Sequence, residues 1–321
     1  MANSAKSKNR IDVHHHAIPP FYREALESAG GDPSGWHLPP WSLDLDGSFS
    51  DSQQIKTAIL SLTAPGSSIL EGAAETQLAR KTNEYVASIR DGDPSNHGFF
   101  ATVPSLMNKK DALEEIEYAL DVLHADGVTL FTRYGKDNHY LGHAHFKEIW
   151  DELDRRAAVV FIHPTHPVDT TLANSHLYQP LLDYPHETTR AAVDMIINDV
   201  VRDHPQCKII LSHAGGTLPY LVTRAATALY DLHSIRKTPD EFIEDARTFY
   251  YDLAVSGNKW TLNLLSDFAK PDHILFGSDF PFAPVKTTEY SADKIDSHGF
   301  SEETAYEINR GNALRLFPRL R

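Results

Sequence analysis

Eight short apolar runs that read as β-strands, most of them separated by stretches of helical periodicity, constrain this chain more than any other feature. The runs are Arg10–His16, Lys56–Leu62, Gly98–Val103, Gly127–Phe131, Ala158–His163, Lys208–His213, Thr248–Leu253 and His273–Asp279. Helical periodicity marks Glu75–Arg90, Lys109–His124, His145–Arg156 and Thr188–Asp203. Asn108 and Ser301 stand where helix caps belong, the latter followed by Glu302 and Glu303 in the first turn. Runs such as VVFIH and KIILSH hardly alternate, which suits parallel strands covered on both faces. The pattern predicts an α/β chain folded as a (β/α)8 TIM barrel. A doubly wound open sheet is the competing arrangement, but it normally places a glycine-rich loop after its first strand, where this chain has HHHAIPP.

Long loop insertions are expected after strands 1 and 5, at residues 17–54 and 164–187, where they would overlie the mouth of a barrel. Trp36, Trp41, His166, Tyr178 and Tyr184 are candidates for aromatic walls there. No linker divides the chain, so residues 10–321 are expected as one barrel domain behind a disordered N-terminal tail over 1–9. With 41% hydrophobic residues the chain can bury a large core. Its formal net charge of −14 opposes a nucleic-acid partner, which needs a basic footprint. The single cysteine, Cys207, excludes an intramolecular disulfide and fits a reducing compartment; it reads as a packing residue. There is no secretion-type apolar segment in residues 1–9 and no apolar run near the ~18 residues a bilayer span needs. A cytoplasmic protein with no membrane partner is the expectation.

The first strand ends in Asp12-Val13-His14-His15-His16, and strand geometry turns His14 and His16 to one face and His15 to the other. Taken alone, the triplet fits a histidine-rich surface as well as a metal site. A barrel, however, gathers the C-terminal ends of its strands into one pocket. Those ends supply His14 and His16, then His163, His213 and Asp279. Five groups able to bind metal at four apolar strand ends are poorly explained as core histidines, since each buried imidazole would need its own partner.

The motifs DVHHH, FIHP, LSHAGG and LFGSDFP, in that order, resemble the amidohydrolase superfamily, and within it the branch containing aminocarboxymuconate-semialdehyde decarboxylase and the ortho-hydroxybenzoate decarboxylases. That resemblance implies His14, His16 and His163 as metal ligands, and Asp279 as a further ligand or proton carrier. It places His213 beside the substrate, leaving open whether Asp279 or His213 delivers the proton. The ion would be one Zn2+, with Mn2+ as the alternative, and no organic cofactor is implied. A carboxylated lysine that bridges two metals in other members would end strand four, but that strand reads VTLFTRYG and Lys136 lies beyond it. Arg224 matches an arginine that reaches a neighbouring subunit's pocket, implying a homodimer, although a solvated helix residue fits equally. Arg133 and Tyr140 are further candidates for substrate contact, with a surface-loop role open for Arg133. The implied reaction is carbon–carbon lysis: nonoxidative, metal-dependent decarboxylation of a small ortho-hydroxy aromatic carboxylic acid, of a 6-methylsalicylate type giving m-cresol and CO2. A mononuclear metal-dependent hydrolase of a lactone or amide is the alternative.

Overall fold

In the computed structural model of the chain, residues 8–321 are described, so most of the tail expected over residues 1–9 lies outside the described residues. Eight parallel strands follow one another around the sheet: β1 (Arg10–His16), β2 (Ile55–Ser61), β3 (His97–Thr102), β4 (Gly127–Phe131), β5 (Val159–His163), β6 (Lys208–Leu211), β7 (Tyr250–Asp252) and β8 (Ile274–Leu275). The segment that follows the last strand returns to the first through four backbone bonds, among them one from Ser278 N–H to His14 at 3.3 Å. Val13 N–H donates to the Phe276 carbonyl at 3.1 Å, Asp279 N–H to His14 at 2.8 Å, and His16 N–H to Phe280 at 2.8 Å. The fold is the expected (β/α)8 barrel.

Ile11, Val13, Ile59, Phe100, Phe161, Ile210 and Leu275, drawn from six strands, pack into one buried cluster with Phe317 from the C-terminal segment. A larger apolar layer lies between the strands and the surrounding helices. The helix Lys147–Arg155 shows how sequence pattern becomes packing. Its Ile149, Trp150 and Leu153 form one buried stripe while charged residues face outward.

Several boundaries differ from expectation for identifiable reasons. Regular pairing of β8 ends at Leu275, because Ser278 N–H is captured by the Asp12 carboxylate at 3.0 Å and Asp279 takes a left-handed φ of 64°. The segment after Lys109 is α-helical to Glu117 and then widens to a π-turn over Tyr118–Val122. Asn108 does not cap that helix, since its amide donates to Asp111 at 2.7 Å; Ser301 does cap, accepting from Thr304 N–H. The 17–54 excursion carries two helices, Pro20–Ser28 and Leu43–Ser52, and the excursion after β5 becomes helical at Gln179. Among the described residues, no helix is long and apolar enough to cross a membrane.

Candidate metal centre

Strand β1 has one residue more than β2 between the pairs Asp12↔Ala58 and His15↔Leu60. A bulge of this kind breaks strict alternation and re-aims side chains. Ile11 and Val13 therefore join the interior cluster, yet His14 and His16, of the opposite parity, are the side chains that meet His163 from β5. The ring centroids are 5.0 Å apart for His14–His16, 5.3 Å for His14–His163 and 5.0 Å for His16–His163. His15 turns away, as expected, and is clamped between the Asp12 and Asp46 carboxylates at 2.9 and 3.0 Å.

The three inward imidazoles share one hydrogen-bond arrangement. His14 Nδ1 is 2.9 Å from Asp252 Oδ2, His163 Nδ1 is 2.7 Å from the Pro164 carbonyl, and His16 Nδ1 is 2.9 Å from Ser61 Oγ. The Ser61 hydroxyl itself donates to the His15 carbonyl, so its oxygen accepts from His16. Each acceptor fixes the hydrogen on Nδ1 and leaves the Nε2 lone pair directed inward. The Nε2 atoms of His14 and His16 are buried and have no hydrogen-bond partner, though they lie 3.4 and 3.3 Å from Asp279 Oδ1. Ligand atoms of His14, His16, His163 and Asp279 all fall within 4.8 Å of one another. Three oriented lone pairs and one carboxylate converging on a point suit a divalent cation, and zinc and manganese both accept mixed nitrogen and oxygen ligands.

Burial pulls the His14 pKa down, but the Asp252 and Asp279 carboxylates outweigh it and leave it raised to about 10. Burial lowers His16 to about 4, with Asp279 opposing in part, and holds His163 well below its ordinary value with help from the His16 and His14 charges. Asp279 is raised by burial, but His14, His16 and His213 hold it well below the usual carboxylate range. A divalent ion at this centre therefore competes with a proton on His14, and its binding is expected to release that proton. Affinity should fall as pH drops below about 10, by up to about tenfold per unit. Chelator competition at several pH values checks this; a flat profile would mean that His14 is already neutral.

Asp252, at the end of β7, escaped the sequence reading although it has the same signature as the others, a polar residue closing an apolar strand. Its Oδ1 accepts from the backbone N–H groups of His213 and Ala254, while Oδ2 holds His14. His213 is thereby tied to the centre, with its Nδ1 3.0 Å from the Ala254 carbonyl and its Nε2 left for chemistry. The LSHAGG motif supplies the turn that places it. His213, Ala214, Gly215 and Gly216 all have positive φ, and a Cβ on Gly216 would lie 1.9 Å from the Pro185 carbonyl oxygen.

His163, His213 and Asp279 open onto a cavity of about 350 Å³. Trp36 and Tyr184 supply aromatic wall and Asp32 a carboxyl whose pKa burial pushes up, so the long excursion after β1 does reach the site. Trp41, His166 and Tyr178 do not line it: Trp41 packs on Tyr85, and Tyr178 stands behind Trp36 at 5.8 Å.

The structure places Arg133 and Tyr140, the two further candidates for substrate contact, off the cavity wall. The Arg133 guanidinium donates to the His166 and Gly135 carbonyls, each at 2.9 Å, and the Tyr140 hydroxyl donates to Glu187 at 2.8 Å. Both are absorbed in holding loops together and neither lines the cavity. Lys136 is exposed beyond the end of β4. Arg224 is exposed on the helix Leu218–Asp231 and does not line its own chain's cavity.

The sequence pattern of the amidohydrolase family matches residues 11–319. The chain is 54% identical to a 6-methylsalicylic acid decarboxylase of Penicillium expansum, over 97% of each chain. It is also 54% identical to the 6-methylsalicylic acid decarboxylase acuB of Aspergillus aculeatus, again over 97% of each. Among solved structures, a dihydroxybenzoic acid decarboxylase from Polaromonas sp. JS666, with bound manganese and the inhibitor 2-nitroresorcinol, superposes with a TM-score of 0.82. Its identity is 23%, and the match covers 98% of both chains.

Proposed function

This chain belongs to the amidohydrolase family, and from that premise we propose that it removes CO2 from a small ortho-hydroxy aromatic carboxylic acid of the 6-methylsalicylate type, giving m-cresol. It is a metal-dependent decarboxylase of aromatic acids, a carbon–carbon lyase. The observation that carries the finer reading is the 54% identity to 6-methylsalicylic acid decarboxylases over nearly the whole chain. The cavity agrees with it, being of a size for one small ring and walled by Trp36 and Tyr184.

Direct loss of CO2 from an aromatic ring would leave an electron pair in an sp2 orbital orthogonal to the π-system. Protonating the carboxylate-bearing carbon first avoids this, because cleavage of the C–C bond then returns its electron pair to the ring and restores aromaticity. An ortho hydroxyl makes that carbon basic enough to accept the proton. His14, His16 and His163, through Nε2, and Asp279 hold one divalent ion in this proposal, Zn2+ with Mn2+ as the alternative. When bound, the ion supplies a template and positive charge for the substrate's hydroxyl and carboxylate oxygens. Asp279, an ionised carboxylate lining the cavity, takes up the proton that the substrate's ortho hydroxyl releases on binding and delivers it to the ring carbon, while His213, pinned through Nδ1 and lining the same cavity, orients the substrate. Asp252 keeps both histidines in register.

The active unit in this proposal is a homodimer in which Arg224 reaches the carboxylate bound in the partner's cavity. Its exposure fits that role, as does the exposed apolar surface nearby: Tyr220 on the same helix is 77% exposed, and Trp260 on the adjacent helix Lys259–Phe268 is 81% exposed. Arg224→Ala should raise KM by about tenfold or more through loss of a charge-assisted hydrogen bond, with a smaller effect on kcat. Sedimentation equilibrium and steady-state kinetics check the pair of claims. A monomeric parent enzyme, or an unchanged KM, would remove Arg224 from the site.

The substrate assignment is tested by assaying hydroxybenzoates for CO2 release beside lactones and amides for hydrolysis. Turnover of 6-methylsalicylate to m-cresol is the expected result. Hydrolysis without CO2 release would contradict it.

A further inference from the structure

A second cavity, of about 280 Å³, lies at the other end of the barrel and shares no lining residue with the first. Lys208, which opens β6, lines it, and His213 lies five positions further along the chain. At the strand rise of about 3.3 Å per residue, that separation is roughly 16 Å. Lys270, Cys207, Tyr250 and His273 also contribute to the wall.

What distinguishes this cavity is the state of its two amines. Among the described lysines, most are engaged by a carboxylate, an amide oxygen or an aromatic ring. Lys136, Lys259 and Lys286 have no such partner but are exposed, so water solvates them. Lys208 and Lys270 also lack a partner, are half-buried, and line one space. A partly desolvated ammonium without a counter-charge is unfavourable, and two of them facing one cavity repel each other. That this occurs in a chain of net charge −14 sharpens the point, because carboxylates that could pair with them are plentiful.

His273 lines the same cavity as both lysines. Burial pushes its pKa down, the Phe249 carbonyl and the Asp272 carboxylate oppose this, and the Lys270 and Lys208 charges add to the lowering. Asp272 stands 3.8 Å from His273 Nε2 but is not part of the cavity wall and pairs with neither amine. The His273 ring is locked in place by stacking on Tyr250 at 3.9 Å and by its Nδ1 contact with the Phe249 carbonyl at 3.0 Å. That part of the cavity wall is therefore held rigidly.

We propose that this cavity binds a small multivalent oxyanion of phosphate or sulfate size between the Lys208 and Lys270 ammonium groups, away from the metal centre. The anion supplies the counter-charge that the fold withholds from both lysines.

The test titrates inorganic phosphate, and separately sulfate, into the metal-loaded, full-length protein, followed by calorimetry and thermal denaturation. One phosphate per chain and a rise in Tm with phosphate concentration are expected. K208Q/K270Q should weaken binding by about tenfold or more and abolish the Tm rise, whereas K208R/K270R should retain both. CO2 release by either double variant without phosphate should stay within about twofold of the parent, because neither lysine touches the reaction site. Phosphate binding that survives in K208Q/K270Q would place the anion elsewhere and overturn the proposal. Equal protection by chloride at matched ionic strength would reduce the effect to screening and also overturn it, as would no binding at tens of millimolar phosphate.

Discussion

Asp279→Asn is expected to slow CO2 release from an ortho-hydroxybenzoate by about 10²- to 10⁴-fold, the range typical for loss of a positioned general acid. The carboxylate lines the cavity, 3.3–3.4 Å from the Nε2 atoms of His14 and His16, so the substitution alters both a proposed ligand and the proposed proton carrier. Elemental analysis of the variant separates the two roles. An amide oxygen still coordinates a divalent ion but cannot carry the proton. Retained metal with collapsed turnover is therefore the expected result, and retained metal with near-parental turnover would transfer the acid role to His213.

The barrel was legible in the sequence because buried parallel strands are written as uninterrupted apolar runs. Arg10–His16 and Gly127–Phe131 were bounded correctly, and the others shift by only a few residues. The cluster that could hold a metal was legible for the same reason: polar residues closing apolar strands stand out, as His163 and Asp279 do. Asp252 had that mark too, but YYD is short and partly polar, and nothing in its own segment reveals that it will face His14 from a neighbouring strand. The placement of Arg133 and Tyr140 away from the cavity wall was not legible for a different reason. Both follow β4 where substrate contacts are often found, but their loop folds back on itself and draws their polar atoms to carbonyls and to Glu187. Loop self-contacts depend on tertiary geometry, which periodicity does not encode.

Asp252→Asn carries the second large prediction. Asp252 is fully buried, and its two oxygens accept three N–H groups, from His14, His213 and Ala254. An asparagine can still accept the two backbone N–H groups through its oxygen, which leaves its NH2 facing His14 Nδ1. Two donors then oppose each other. The imidazole relieves the clash by moving its hydrogen to Nε2, the atom needed as a metal ligand. Metal affinity should fall by about 10- to 100-fold, the usual cost of removing such a supporting carboxylate. Excess metal should restore part of the activity. Chelator competition measures the affinity, and circular dichroism confirms the fold. Unchanged affinity would show that His14 does not need Asp252 to present its lone pair.

The most direct test of the central claim is to follow CO2 and m-cresol together as 6-methylsalicylate is turned over, before and after chelation and again after adding back Zn2+ or Mn2+. Equimolar CO2 and m-cresol, lost on chelation and recovered with one divalent ion per chain, is the predicted result. CO2 release indifferent to chelation, or loss of substrate without CO2, would contradict it.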